Sequence, residues 1–219
     1  MGGLSIAWFR KDRADLPRLL IATNNRGKLA EYQVLLKGCG WKLVSPADLG
    51  LNLSIEETGD DYATNARIKA EALARASGLL TLADDSGLEV DALGGRPGPL
   101  SARYAGPSQT DEQGVDLVLA QMKDVPREGR GARFRCVIAL AKPDGAARIV
   151  EGECPGTIAS EPSGHSGFGY DPIFYLPQLG RTMAELTPEE KNAISHRADA
   201  AKKACALLKE MIRETASRP

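Results

Sequence analysis

The sequence predicts an α/β protein built on a mixed β-sheet. Three observations predict it. Apolar runs of strand length alternate with helix-period segments through the first half of the chain. Two strand-like runs then flank Pro143-Asp144-Gly145, which reads as an antiparallel hairpin. The chain carries no internal repeat and no low-complexity tract. Its 219 residues, 42% of them hydrophobic, suit one large domain or two closely joined lobes with a sizeable core.

Taken in order, Arg18–Thr23 (RLLIAT) reads as a buried strand, followed by a polar Thr-Asn-Asn turn. Leu29, Tyr32, Leu35 and Leu36 recur at helical spacing, which predicts a helix over 27–37 ended by Gly38 and Gly40. Trp41–Val44 returns as a strand. A second helix is expected over 60–77, with acids at its start, Gly78 as its stop, and Ala63, Ala66, Ala70 and Leu73 as a small inner stripe. Leu79–Ala83 is then a buried strand that ends in an acidic turn at Asp84-Asp85-Ser86-Gly87. Residues 94–99 form a loop and 111–122 a helix. The hairpin strands cover 134–141 and 147–154, and a glycine-rich loop covers 164–171. Thr187-Pro188-Glu189-Glu190 is a capping box with proline at the first helical position. The helical C-terminus reaches about Glu214, with a break at Ser195.

The bulk composition excludes some classes. A formal net charge of -1 offers no global field for a nucleic-acid backbone. Cys39, Cys136, Cys154 and Cys205 are scattered without zinc spacing, which predicts reduced, mostly buried thiols. The apolar stretch at Ile6–Phe9 is too short for a signal-peptide core, and its charges follow rather than precede it. No segment approaches the length of a membrane span. The expectation is a soluble cytoplasmic protein, with a loosely ordered extension over 1–18 and a single domain over 19–216.

Four islands carry the chemistry. Thr23-Asn24-Asn25-Arg26-Gly27-Lys28 joins a strand to a helix, so unpaired backbone N–H groups and the helix dipole both favour an anion there. Lys28 in the first turn opposes the dipole unless an anion compensates it. An ordinary Asn-capped helix with a surface lysine fits the same residues, and the spacing is not that of a Walker A loop. Asp84-Asp85 can hold Mg²⁺, which favours one or two carboxylates plus substrate phosphates, with Glu56-Glu57 as a second acidic pair; a plain turn also fits. Asn65 and Lys69 share a helix face beside small alanines, so Lys69 either points half-buried at something negative or snorkels. Phe168-Gly169-Tyr170-Asp171 offers aromatics among glycines for a flat ligand, or simply a tight turn with core aromatics. His196-Arg197 supplies directional donors, or a solvated helix start capped by Ser195. His165 has no visible partner in the sequence.

As an ordered set the islands resemble the Ham1/RdgB-like inosine triphosphate pyrophosphatase family. The likeness runs from about Leu19 to Leu208. Its motifs stand at Thr23–Lys28, Glu56–Gly59, Ala83–Leu88, Leu93–Gly98, Ser101–Tyr104, Gly167–Phe174 and Glu189–Arg197. The resemblance implies an elongated α/β fold with two lobes around a long mixed sheet and an active cleft between them. It implies a homodimer and Mg²⁺-dependent hydrolysis of ITP, dITP and XTP to the monophosphate and pyrophosphate. By position it implies that Thr23, Asn24, Asn25, Arg26, Gly27 and Lys28 hold the phosphates with Lys69 assisting. Asp85 would bind metal and activate water, Glu57 would share the metal, and Glu56 is the alternative. Ser86, Phe168, Gly169, Tyr170, Asp171, Lys191, His196 and Arg197 would contact the nucleotide. A 6-oxo group on the base would be read by donors such as Arg197, which adenine would leave unpaired. Three other readings stay open: a Maf-type pyrophosphatase of different base preference, a nucleotide-binding module without chemistry, and a phosphatase releasing single phosphates.

Overall fold

The computed structural model describes residues 16–52 and 55–216. Most of the expected N-terminal extension, residues 1–15, therefore lies outside the described residues. The strands are β1 (Arg18–Ile21), β2 (Lys42–Val44), β3 (Leu80–Val90), β4 (Gly131–Ala141), β5 (Ala147–Ile158), β6 (Phe174–Leu176) and β7 (Arg181–Thr182). The helices are α1 (Arg26–Leu35), α2 (Tyr62–Ser77), α3 (Asp111–Gln121), α4 (Pro188–Ile194) and α5 (His196–Ala216). One seven-stranded sheet runs in the order β2-β1-β3-β4-β5-β6-β7. It is mixed: β1 pairs parallel with β2 and β3, whereas β5, β6 and β7 pair antiparallel. The α/β fold class with a mixed sheet is thus as the sequence predicts.

By packing, the chain divides into two compact units. The first holds the chain up to Asp84, Val137–Val150 and the chain from Ala201; the second holds Asp85–Cys136 and Glu151–Ala200. Each has its own core. In the first unit the small stripe Ala66, Ala70, Leu73 and Ala74 of α2 packs with Leu20, Val44, Ala83 and Ala139. In the second, Leu88, Val90, Val118, Met122, Phe134, Ile173, Phe174 and Met183 are buried together.

Helix ends follow local chemistry. Asn25 caps α1 by accepting the Lys28 N–H at 3.0 Å. Asp61 caps α2 by accepting the Thr64 N–H at 2.7 Å, and Gly78 closes it in the left-handed conformation at φ 68°. Thr110 with Gln113 and Thr187 with Glu190 form complete capping boxes for α3 and α4. Ser195 breaks the C-terminal helix with an extended ψ of 156°.

Two expectations are corrected. The acidic turn is not a turn: β3 continues without interruption from Leu80 to Val90, through Asp84, Asp85, Ser86 and Gly87. Turn-forming side chains lose to strand pairing here because Leu88 and Val90 belong to the core on the far side of the acids. The thiols are not all reduced either. Cys39 and Cys205, 166 residues apart, form a disulfide, while Cys136 and Cys154 are buried and not in a disulfide. Spacing hides this pair because only the docking of α5 makes it. Trp41 Nε1 donates to the Leu208 carbonyl at 3.2 Å, and Gly40 packs so closely on Ile212 that an added Cβ would lie 2.8 Å from its Cδ1. Denaturing alkylation without reductant is expected to label Cys136 and Cys154 alone, read by intact mass. Four labelled thiols would refute the bridge.

No helix among the described residues is long and apolar enough to cross a membrane.

Candidate active site

In the first unit, β1 and β3 run parallel with Ile21 beside Leu82, so the turn after β1 lies at the carboxyl end of the sheet. Such ends collect ligand-binding loops in open α/β sheets. Asn24, Asn25 and Arg26 are exposed there, and Thr23 is half-buried with its hydroxyl accepting the Asn25 N–H at 3.1 Å. Lys28 opposes the α1 dipole, and the compensating anion is a protein group: its Nζ lies 2.9 Å from Oδ2 of buried Asp84. Lys69 is likewise half-buried and aimed at negative charge. Its Nζ donates to Glu57 Oε1 at 2.9 Å and to the Asp84 carbonyl at 2.7 Å. The result is a contact chain, Lys28–Asp84–Lys69–Glu57, in which Asp84 meets Lys28 through its carboxylate and Lys69 through its backbone carbonyl.

The loop bearing Glu57 is pinned from the same helix face. Fully buried Asn65 accepts the Gly59 N–H at 2.9 Å through Oδ1. Gly59 leaves no room for a side chain, since a Cβ there would meet Thr64 Cγ2 at 2.6 Å. Glu56 is exposed, unlike Glu57. Asp84 received no separate role from the sequence. The parallel register that brings it to Lys28 is the signal that identifies it.

In the second unit, Asp85 is buried and its Oδ1 accepts the Ser86 N–H at 3.0 Å. The Arg197 guanidinium, 1% exposed, donates from Nη2 to Ser86 Oγ at 2.9 Å. It also lies 5.6 Å from the centroid of the Phe168 ring, and Lys191 Nζ lies 4.5 Å from the same centroid. Lys191 Nζ pairs with Asp171 Oδ2 at 2.5 Å, and that carboxylate also accepts the Phe168 N–H at 2.9 Å. The structure therefore brings Ser86, Phe168, Asp171, Lys191 and Arg197 together around one aromatic ring.

Tyr170 and His196 are both buried. Tyr170 is a core residue, and its hydroxyl donates to the Ser101 carbonyl at 2.9 Å, so Phe168 alone of the two aromatics keeps a part-exposed ring. Tyr170 lies there because α3 presents Gly114 to it. His196 is buried, its ring stacked on Phe134 at 4.8 Å between centroids. This first turn of α5 seats against β5 at Gly152, where a Cβ would clash with the Ala200 nitrogen and the His196 carbonyl. His165 is exposed in the glycine-rich loop. The loop's anchor on α3, where Gly169 N–H donates to Asp111 Oδ2 at 2.6 Å, has no signal in the sequence.

Among the described residues, no group of three or more His, Cys, Asp or Glu is placed to hold a metal ion by itself. The donors present in Glu57, Asp84 and Asp85 are hard carboxylate oxygens, the type Mg²⁺ takes when phosphates complete its shell.

The first unit thus has an anion-accepting turn at the carboxyl end of parallel strands, and the second, taken by itself, has an aromatic ring flanked by buried cations. The chain belongs to the Ham1 family, whose model matches residues 19–207. It is 50% identical over 189 residues to the dITP/XTP pyrophosphatase of Bacillus subtilis, covering 86% of this chain and 96% of that protein. The solved HAM1 protein of Coxiella burnetii is similar with a TM-score of 0.80 at 45% identity, covering 88% of this chain and 98% of that one. The Ham1 protein of Staphylococcus aureus gives 0.79 at 40% identity, covering 89% and 99%.

Proposed function

We propose that this protein hydrolyses non-canonical purine nucleoside triphosphates, dITP, XTP and ITP, to the nucleoside monophosphate and pyrophosphate. The observation that carries the reading is the Lys28–Asp84–Lys69–Glu57 chain, which offers two ammonium groups to phosphates and carboxylates to a cation. Its support is membership of a family in which the Bacillus subtilis relative is named a dITP/XTP pyrophosphatase.

In the proposed reaction a water oxygen bonds to the α-phosphorus and the α–β bridging oxygen leaves with pyrophosphate. Asp85 takes the proton of the attacking water. Lys28 and Lys69 exchange part of their carboxylate contacts for phosphate oxygens, and the free N–H groups at the start of α1 add further donors. Asp85 and Glu57 are the residues that would hold Mg²⁺, which when bound would supply positive charge for the phosphates. Arg197 and Lys191 present donors beside Phe168, where a 6-oxo base accepts and an adenine amino group cannot.

The test is product identification with dITP, XTP, dATP and dGTP, each with and without Mg²⁺. Magnesium-dependent pyrophosphate from dITP and XTP, with little from dATP and dGTP, is expected. Single phosphate release, or equal use of all four, would refute it. A homodimer is part of the same proposal, and sedimentation checks it. A cytoplasmic location is proposed from the substrate class.

A further inference from the structure

The loop that carries Phe168 is built to be loose and then tied down. Gly167 and Gly169 flank the aromatic, both in the left-handed region at φ 78° and 63°, so side-chain sterics do little to select the loop's path. Hydrogen bonds select it instead, among them the Ser166 N–H to the Ala184 carbonyl at 3.0 Å and three that involve side chains along 168–170. Phe168 N–H goes to Asp171 Oδ2 at 2.9 Å, inside the loop. Tyr170 hydroxyl goes to the Ser101 carbonyl at 2.9 Å, in the core. Gly169 N–H goes to Asp111 Oδ2 at 2.6 Å, on another element.

Asp111 is suited to be an anchor. It is the first residue of α3, one position after the Thr110 cap, where the helix dipole favours a carboxylate. Helix α3 is itself fixed by its capping box and by burial of Gly114, Val115 and Val118. An ionised acceptor makes a stronger hydrogen bond to an amide than a neutral one does. The bond grips the residue next to Phe168, and Phe168 is the ring that Lys191 and Arg197 flank.

We propose that Asp111 is a positioning residue that fixes the pose of Phe168 and thereby sets affinity for the base, without touching the reacting atoms. This rests on the reading that Phe168 meets the base of dITP or XTP.

The experiment compares the wild type, Asp111→Ala and Asp111→Asn in steady-state hydrolysis of dITP. Amide hydrogen exchange is followed over residues 166–172 of the same proteins. For Asp111→Ala, KM is expected to rise about tenfold with kcat changed less than about twofold, and the Gly169 amide to exchange faster. Asp111→Asn keeps a side-chain oxygen acceptor and is expected to restore most of both readouts. Unchanged exchange in Asp111→Ala, or faster exchange with unchanged KM, overturns the proposal. So does a fall in kcat in step with a lowered melting temperature, which marks a merely structural role. If wild-type protein turns over none of the four triphosphates, the pyrophosphatase reading fails and takes this proposal with it. If it does turn them over, a negative result concerns Asp111 alone.

Discussion

Asp85→Asn is expected to lower kcat on dITP by about 10²- to 10⁴-fold, the range a positioned general base supplies, with the melting temperature close to that of wild type. The fold should tolerate the change for a specific reason. The Asp85 Oδ1 that accepts the Ser86 N–H at 3.0 Å has a counterpart in the asparagine carbonyl oxygen, so this bond survives. What is lost is the negative charge and the ability to take a proton. Because Asp85 sits inside β3 rather than in a turn, its backbone is held by the sheet and the side chain is pre-set. Full kinetics on dITP with a thermal melt check this. Retained kcat would move the base to another group, and Asp84 would be next to test.

Lys191→Met is expected to destabilise the protein by about 3–5 kcal/mol, the usual cost of orphaning one half of a buried ion pair. Lys191 is 6% exposed and Asp171 2%, so neither charge has much water to fall back on. Methionine fills similar space but leaves Asp171 with its charge and only part of its former contacts. The Phe168 N–H bond to the same Oδ2 depends on that carboxylate staying in place, so the aromatic loop should loosen as well. The double variant Lys191→Met with Asp171→Asn removes both charges. It should recover part of the loss, because what costs most is an unpaired buried charge rather than the absence of the pair. Urea unfolding of the single and double variants measures this coupling. A single-variant loss below about 1 kcal/mol would place the pair in the class of exposed bridges, against its burial.

Several local features were legible because their information lies within a few residues. A cap needs only a side chain three residues from an amide, as with Asn25 to Lys28 and Thr187 to Glu190. The stripe on α2 follows from helical period, and Lys69 on that face does point at negative charge. One motif was misread. Asp84 to Gly87 has the composition of a turn, yet the sheet overrides that preference, because the strand gains core contacts beyond it. Tyr170 and Phe168 look alike in sequence, separated only by Gly169. The ring opposite Gly114 goes into the core and the other stays beside the cations.

By itself, the sequence determined the class of fold and the positions of the helices and their ends. These follow from periodicity, capping and charge, which act over a few neighbouring residues. Only the tertiary structure decided which residues are partners. Lys28 meets Asp84 through parallel strand register, and Arg197 meets Ser86 across 111 residues. Cys39 meets Cys205 across 166, and Asp111 meets Gly169 across 58. Each pairing depends on how whole elements pack. A contact of that range leaves no pattern in the spacing of one chain, because its energy is gained only once both elements are already in place.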